Sequence, residues 1–494
     1  MVTRDYNYSR PLDVHRWSCY TETNTFVNSI YEQYFLTDKA NKTIRKKLLK
    51  VVLLDLYVAW IDDPNLCIGV HMSPNAYSDG TVFTKGKSRY NELHIKDTII
   101  QVIHRLKDVG LIGFKEGYEG SSEYGGRTSR IWAYERLIEA FETAQFGYFD
   151  INYIENKEVI ILRDSNKNNV EYETTKHTEE MAKVVRAYND LLAKTFIDIP
   201  DMNKPMLEIK DKNSGKTRYV NITHHGKFTH RVFNNSSWDQ GGRFYGGFWQ
   251  QIDQILRGAI RLNDSSTVEI DFSGLHVILA YAKEGIDYWA TTDEDPYNIP
   301  IEGIEYPDHA RDVVKQLTLL AFNASDESSL FKAFRSEFDY KNYSVRYSFP
   351  DEKLSDILQS IKDKHPKIKH LINTGAGLEL MNVDSKIAEY VIKDFVKTDT
   401  PILTVHDSFI VPFGEEERLE KLMKEAFVYV TNKDRIKVKF NKNRTLVQVN
   451  QSKFATGLDR DYYLDNMHFV NESVSTEGSG RGWKGIEDII QNNC

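Results

Sequence analysis

Two short segments, each centred on an aspartate, are the parts of this chain best suited to metal-dependent chemistry. Asp271 follows the predicted strand Thr267–Ile270 and precedes a helical pattern. Its carboxylate is therefore expected at the end of a strand, where one oxygen can bind Mg²⁺ while water and phosphate complete the coordination. Asp407 interrupts the apolar run Pro401–Pro412, which predicts a tight β-hairpin with a polar tip. An aspartate placed like Asp271 is also commonly a helix N-cap, so a structural role stays open.

A basic helix lies between these two segments. Lys315 follows Arg311 by four positions, and Phe322 follows Arg311 by eleven. At about 100° per residue, the three side chains fall within about 40° of one another on one helix face. Two cations and an aromatic ring on that face suit a triphosphate and a base. Together with two carboxylates on strands, they are what two-metal phosphoryl transfer from a nucleoside triphosphate requires. A solvated Arg/Lys pair is the ordinary alternative.

The hairpin tip itself reads His406-Asp407-Ser408. These three residues do not predict a hydrolase triad, because successive strand residues point to opposite faces and a triad needs converging side chains. A solvated turn is the other alternative, but the flanking β-branched residues argue against it. Metal ligation by Asp407 is the favoured interpretation.

The segment 226–261 mixes basic and aromatic side chains, as a nucleic-acid track does. Its basic residues are Lys227, Arg231, Arg243, Arg257 and Arg261. Its aromatic residues are Phe228, Phe233, Trp238, Phe244, Tyr245, Phe248 and Trp249. About half of those rings are equally well explained as core.

Residues 1–145 have mostly helical periodicity and end in a winged-helix pattern. A helix over about 95–106 is followed by a hairpin whose tip, 121–126, is polar and glycine-rich. Winged helices place such a helix in the DNA major groove and the hairpin on the backbone, although some contact proteins instead. Phosphate-binding charge would come from Lys96, Arg105, Lys107, Arg127 and Arg130.

Bulk properties restrict the setting of these motifs. The 494 residues predict roughly three domains. A net charge of −8 means that any site for a polyanion must be a local basic groove. The three scattered cysteines predict neither a disulfide framework nor a zinc site, and they suit a reducing cytoplasm. The N-terminus has no apolar signal core, and the longest apolar stretch is broken by Lys50 and Asp55, so no membrane segment is expected.

Four motifs in order resemble one superfamily. Asp271–His276 resembles motif A of the family A DNA polymerases and single-subunit phage-type RNA polymerases. Arg311 and Lys315, followed by Leu320–Asn323, resemble motif B, and Val405–Phe409 resembles motif C. Asp239-Gln-Gly-Gly-Arg243 is similar to the signature that precedes motif A in the RNA polymerases. The resemblance covers roughly residues 225–415.

The resemblance implies an α+β right-hand polymerase fold with palm, fingers and thumb, preceded by the winged-helix-like helical domain. The implied divisions are 1–145 for the DNA-binding domain, 146–205 for a linker hairpin and candidate thumb helix, 206–290 for the palm with motif A, 291–400 for the fingers, 401–460 for the palm with motif C, and 461–494 for a tail.

Site roles follow from the same resemblance. Asp271 and Asp407 would bind two Mg²⁺ ions, for which Mn²⁺ can substitute. The other implied roles are the triphosphate for Arg311 and Lys315, the nascent base pair for Phe322, the template–primer backbone for Arg243, and the primer terminus for His406.

The implied activity is extension of a 3′-OH on a DNA template, giving a nascent RNA or DNA strand, by a monomeric enzyme. His276 stands where the DNA enzymes have a glutamate that blocks a ribose 2′-OH, and Ser408 matches the RNA enzymes. We therefore favour RNA synthesis, including primer synthesis, although the compact spacing of the motifs favours a DNA polymerase without proofreading. The alternative from another class is a non-catalytic winged-helix replication initiator or regulator.

Overall fold

The computed structural model describes residues 4–36, 41–77, 88–120, 126–200, 202, 204–210, 217–338 and 347–441. Within these ranges the chain forms a mixed α+β structure around two hydrophobic cores. One core gathers buried side chains between Val14 and Ile151, and the other gathers those between Val159 and Ile436. Met206 belongs to the first core, although it lies far along the chain. The tail predicted for 461–494 lies outside the described residues.

The first core is covered by helices and a sheet of strand order β1-β3-β5-β4. Its elements are β1 (Ser9–Pro11), β2 (Arg16–Trp17), α1 (Thr21–Tyr34), α2 (Lys42–Asp62), β3 (Cys67–Val70), α3 (Thr98–Asp108), β4 (Ile112–Lys115), β5 (Ser129–Ala133), α4 (Glu135–Glu142) and β6 (Asn152–Tyr153). β4 and β5 pair antiparallel directly after α3, as the sequence predicts. Most of the predicted polar tip, 121–125, is outside the described residues.

The second core surrounds a sheet of order β15-β16-β14-β13-β8, in which β17 also pairs with β14. Its elements are β7 (Ile160–Leu162), α5 (Lys176–Lys194), β8 (Ile197–Asp198), β9 (Met206–Lys210), β10 (Thr217–Asn221), β11 (His230–Phe233), β12 (Gly241–Tyr245), α6 (Gln254–Arg257), β13 (Arg261–Leu262), β14 (Ser265–Phe272), α7 (Leu275–Lys283), α8 (Tyr288–Thr291), α9 (Pro307–Asn323), α10 (Glu327–Phe338), α11 (Asp351–Lys364), α12 (Gly377–Lys397), β15 (Leu403–Val405), β16 (Ser408–Pro412), α13 (Glu416–Thr431) and β17 (Val438–Asn441).

Strand β14 is the centre of this sheet and carries the first predicted metal ligand. Ile270 and Phe272 are buried on one side, so the alternation of a strand turns Asp271 to the other side. The chain then passes through Gly274, whose φ of 69° favours glycine, and enters α7. The strand, the turn and the helix predicted around Asp271 are confirmed.

Helix α12 crosses β12 at very short range. Gly242 has a φ of 89°, and a Cβ there would lie 2.7 Å from the ring of Phe233 and 3.0 Å from Ser385 Oγ. Only glycine satisfies both the backbone conformation and the close approach. This contact brings the polar residues of α12 beneath the residue that follows Gly242, which is Arg243.

Helix α5 confirms that a helix lies within 146–205, where the sequence predicts one. Its buried side chains, which include Met181, Val185 and Leu192, pack in the second core beside α12. Its role as a thumb is still a prediction. Throughout the described ranges, every helix is too short or too polar to cross a bilayer.

A candidate active site at the paired aspartates

The two predicted metal ligands lie at neighbouring positions of one sheet, Asp271 on β14 and Asp407 in the turn that joins β15 to β16. In the antiparallel pair β14–β16, Asp271 is directly opposite Ser408, and Asp407 is the residue just before Ser408. Asp407 occupies a two-residue turn with His406, whose φ is 60°. A positive φ is expected in a hairpin turn this tight, and histidine adopts it more often than most side chains.

The electrostatics of Asp271 reflect the closeness of the second carboxylate. Burial, and then the negative charge of Asp407, raise the pKa of the Asp271 carboxyl to about 6, although Lys439 and Lys315 act in the opposite direction. Two carboxylates that disfavour each other's charge form a site that is stabilised by a cation.

Two lysines from other elements face this carboxylate pair. Lys439 of β17 is the cross-strand partner of Asp271, and its Nζ lies 3.1 Å from Asp271 Oδ2. Lys315 of α9 is largely buried. Burial and the positive charge of Lys439 lower the pKa of Lys315, while Asp271 and Asp407 raise it. The charges of both aspartates therefore act on Lys315 of α9.

Arg311 lies one turn before Lys315 but has a partner of its own. Its Nη2 is 2.8 Å from Asp295 Oδ2, and its guanidinium lies 5.5 Å from the centre of the Tyr297 ring. Tyr297 is buried, and burial followed by the charge of Asp407 raises the pKa of its hydroxyl. A phosphate would have to compete with Asp295 for Arg311.

On the other side of the aspartates, Arg243 forms a buried triad with Asp384 and His276. Arg243 Nε donates to both oxygens of Asp384 at 2.9–3.0 Å, and its Nη2 lies 2.9 Å from His276 Nε2. His276 Nε2 is also 3.1 Å from Asp384 Oδ2. Burial alone would raise the pKa of the Asp384 carboxyl. Arg243 and then His276 outweigh burial and hold this pKa below its ordinary value. The triad fixes the positions of two predicted site residues.

His406 is the neutral member of the site. Burial, followed by the charge of Arg243, lowers the pKa of its imidazole. Its ring packs edge-on against Tyr245 with 5.5 Å between ring centres. Among the described residues, its buried Nδ1 has no hydrogen-bond partner. An unpartnered ring nitrogen beside Asp407 is available to a ligand.

The prediction of an open aromatic platform at Phe322 is wrong. Phe322 is only 1% exposed and belongs to the second core. It shares a helix face with Arg311 and Lys315, but the chain after α11 covers the end of α9. Asn373 donates its backbone N–H to Ala321 O. The predicted grouping of the three side chains on one face of α9 is correct. The chain after α11 determines which part of that face is exposed.

Two predicted nucleic-acid contacts are buried instead. Lys227 Nζ donates to Thr195 O at 2.6 Å, and burial lowers the pKa of Lys227 to about 7. Arg231 is 1% exposed, donates from Nε to Gly242 O at 2.7 Å and forms an ion pair with Glu389. Both side chains satisfy groups inside the protein, so the predicted phosphate contacts of Lys227 and Arg231 are wrong.

Two further residues predicted to contact nucleic acid bind groups of the protein instead. Arg257 forms a two-point ion pair with Glu269 at 3.1–3.2 Å and is 14% exposed. Arg130 donates to Tyr6 O and to Thr128 O. These partners are corrections to the free, phosphate-facing positions expected for Arg257 and Arg130. Lys96 and Arg261 are exposed, and Arg127 is half-buried beside the Tyr6 and Tyr118 rings.

Asp384 and Lys439 belong to the site but were missed in the sequence. Asp384 had a signal, because it interrupts an apolar stripe on α12 that includes Leu380, Ile387 and Val391. A charged residue on a buried helix face is uncommon and needs a partner. Lys439 had no comparable signal in the sequence, because lysine is common on short, exposed strands.

The donor set fits magnesium. Within the described ranges, no cluster of three or more His, Cys, Asp or Glu forms a closed cage. Asp407 raises the pKa of the Asp271 carboxyl, and a pair of carboxylates this close suits a hard cation that keeps several waters and shares phosphate oxygens. Asp271 and Asp407 are the residues that would hold it.

No family model and no curated protein matches the sequence. Among solved structures, the chain is similar to the POL domain of Pol1 from M. smegmatis, solved in complex with DNA primer-template and dNTP, with a TM-score of 0.26 and 15% identity. The match covers 44% of this chain and 48% of that one, so this chain spans about half the length of that structure.

Proposed function

We propose that this chain is a template-directed nucleotidyltransferase, which extends a 3′-OH with nucleoside triphosphates on a DNA template. The observation that carries the proposal is the convergence of Asp271, Asp407 and Lys315 from three separate elements. Paired strands bring the two aspartates together, and the charges of both act on the Lys315 ammonium. Carboxylates for metal and a cation for phosphate in one place are the minimum for two-metal phosphoryl transfer.

Asp271 and Asp407 hold the divalent ions in this proposal. Bound Mg²⁺ supplies Lewis acidity at the phosphoryl oxygens and lowers the pKa of the attacking hydroxyl. The protein's own contribution is to hold Asp271 on a central strand and Asp407 in the tight turn that leads into the strand paired with it. Rigid elements position such groups more accurately than loops do.

Lys315 and Arg311 receive the triphosphate. Lys315 Nζ offers three donors, and a pKa lowered by burial makes its proton easier to pass to the departing pyrophosphate. Arg311 exchanges Asp295 for a phosphate, which is a favourable exchange because a phosphate presents more charge. The site thus selects for the polyphosphate end of the substrate.

Arg243 and His406 serve the primer side. The guanidinium of Arg243 is held by Asp384, so its direction is fixed before nucleic acid arrives. His406 Nδ1 accepts a hydrogen bond from the terminal hydroxyl when the ring carries its proton on Nε2. The first test is extension of a primed DNA template with Mg²⁺ or Mn²⁺ and either rNTPs or dNTPs.

For the sugar, we favour ribonucleotides on the basis of His276. A buried, unpaired 2′-OH costs about 1–3 kcal/mol, so an imidazole partner shifts the preference by about tenfold to a hundredfold. His276→Ala should lower rNTP incorporation by that factor and leave dNTP incorporation nearly unchanged. Single-nucleotide extension at equal rNTP and dNTP concentrations measures both rates. A wild-type preference for dNTP above about a hundredfold, or about 2.7 kcal/mol, would establish the DNA polymerase instead.

The N-terminal unit is proposed to bind DNA as a winged helix, on the basis of α3 followed by the β4–β5 hairpin. Exposed Lys96 and Lys107 border α3. Replacing both by Gln should lower the slope of log affinity against log salt by about one unit per lost phosphate contact. Lys176→Gln with Lys421→Gln is the matched control, because both side chains are exposed on other helices. If the salt dependence of DNA binding has the same slope in the two double variants, the N-terminal unit contacts proteins and not DNA.

The other candidate is a non-catalytic replication initiator or regulator. The same helix and hairpin support it, since they would bind DNA without chemistry. A DNA mobility shift by the wild-type protein, with no incorporation in any nucleotide mixture, would favour this alternative over the polymerase.

A further inference from the structure

Lys439 contacts Asp271 directly, and the proposed mechanism leaves it without a role. It lies on β17, in register with Asp271, with 3.1 Å between its Nζ and Asp271 Oδ2. The Lys439 side chain is 44% exposed. Burial therefore does not force the ammonium onto Asp271, and attraction to the carboxylate pair accounts for its position.

The position of Lys439 conflicts with full occupancy of the site by metal. Its Nζ occupies one of the two Asp271 oxygens that a divalent ion could use, and its charge acts unfavourably on Lys315. A lysine has a flexible four-carbon stem and three donors, so its ammonium can move several ångströms while the strand stays in place. Lys439 can leave Asp271 without disturbing the pairing of β14 with β17.

Charge balance indicates where the ammonium would go. Two Mg²⁺ ions, two carboxylates and a triphosphate sum to about two negative charges. Arg311 and Asp295 together add no net charge, whether Arg311 stays on Asp295 or has moved to a phosphate. Two further cations next to the phosphates would therefore bring the loaded site close to neutrality, and Lys315 and Lys439 are the two that the described residues place there.

We propose that Lys439 is a phosphate-binding cation of this site, which rests on Asp271 in the absence of ligand and transfers to the triphosphate when a divalent ion takes its place. The proposal rests on the proposed function and adds a residue to it. It makes two predictions of opposite sign for one substitution: Lys439→Gln should bind metal alone more tightly and metal-bound polyphosphate more weakly.

Lys437→Gln is the matched control. Lys437 lies just before β17, is 43% exposed, and has its Nζ 2.9 Å from Asp293 Oδ1 rather than on the aspartate pair. The two variants remove the same charge from side chains of almost equal exposure. Any difference between them reports the contact with Asp271 and not the change in net charge.

The first measurement is Mn²⁺ binding without nucleotide, followed by electron paramagnetic resonance. Lys439→Gln should tighten Mn²⁺ binding by about three- to tenfold, because it removes a competing cation from Asp271. The second is calorimetric titration with pyrophosphate in excess Mg²⁺, in which Lys439→Gln should weaken binding by about tenfold, the loss of one charge-assisted contact. Lys437→Gln should change neither by more than about twofold.

Both shifts together support the proposal, and the absence of either one overturns it. Neither measurement requires catalysis, so the two proposals can fail separately. If the wild-type protein extends primers but Lys439→Gln and Lys437→Gln bind Mn²⁺ and pyrophosphate equally well, only the proposed role of Lys439 is refuted. If both shifts occur without incorporation, the polymerase is lost and the phosphate site remains. Failure of the wild-type protein to bind Mn²⁺ would overturn both.

Discussion

Asp271→Asn and Asp407→Asn are each expected to lower nucleotide incorporation by at least about a thousandfold, equivalent to about 4 kcal/mol of transition-state stabilisation. Each substitution keeps the shape of the side chain and removes the charge that holds a divalent ion. Initial rates of primer extension at saturating nucleotide measure the effect. Added Mn²⁺ should not restore either variant, because the ligand and not the choice of metal is lost.

Asp271→Asn should lose activity but gain folding stability in the absence of metal. The pKa of Asp271 is raised from 3.8 to about 6 in the folded protein. Between those values the folded protein keeps a proton that the unfolded chain has released, so wild-type stability falls as the pH rises through this window. Asparagine has no such proton. In metal-free buffer near pH 7.5, Asp271→Asn should therefore raise the free energy of unfolding by on the order of 2 kcal/mol, and the gain should vanish towards pH 4.

The two measurements together separate catalysis from folding. Asp356→Asn on α11 is the control, because Asp356 is exposed and far from the site in the chain. It should leave both rate and stability unchanged within about 0.5 kcal/mol. Full incorporation by either site variant would refute metal ligation. A variant that is inactive and also destabilised at neutral pH would point to a structural role of the aspartate within the sheet and not to metal ligation.

Asp384→Ala should destabilise the protein by about 3–5 kcal/mol, because it leaves the buried guanidinium of Arg243 without its counter-charge. Asp384 is 1% exposed, and both Arg243 and His276 contact its carboxylate. Urea unfolding followed by circular dichroism measures the change. The midpoint should fall while the slope of free energy against urea stays constant.

Glu379→Ala provides the comparison on the same helix. Glu379 forms an ion pair with Lys283, but both side chains are nearly half exposed, so its loss should cost less than about 1 kcal/mol. The double variant Asp384→Ala/Arg243→Met should recover much of the stability lost in Asp384→Ala, because it removes the unpaired charge as well. Equal effects of Asp384→Ala and Glu379→Ala would show that the Arg243–Asp384 pair is not a significant stabilising contact.

Local sequence patterns were sufficient for the elements that carry the chemistry. The strand pattern before Asp271, the helical pattern after it and the apolar residues around the tip at 406–407 predict the strand, the helix and the hairpin that the structure contains. The period of α9 likewise places Arg311 and Lys315 on one face. These features depend on neighbours within about one or two turns, and the sequence therefore determines them by itself.

Burial and partner choice were decided by the tertiary structure. Phe322 and Lys315 share one face of α9. The segment after α11 packs on the end of α9, where Phe322 is buried, whereas Lys315 lies near the aspartates. Basic residues near Arg243 look equivalent in sequence, but Arg231 is enclosed by α12. Lys439 reaches Asp271 only because β17 joins the sheet beside β14. Such contacts join residues between 52 and 168 positions apart, and local periodicity contains no information about which distant surface will cover a given side chain.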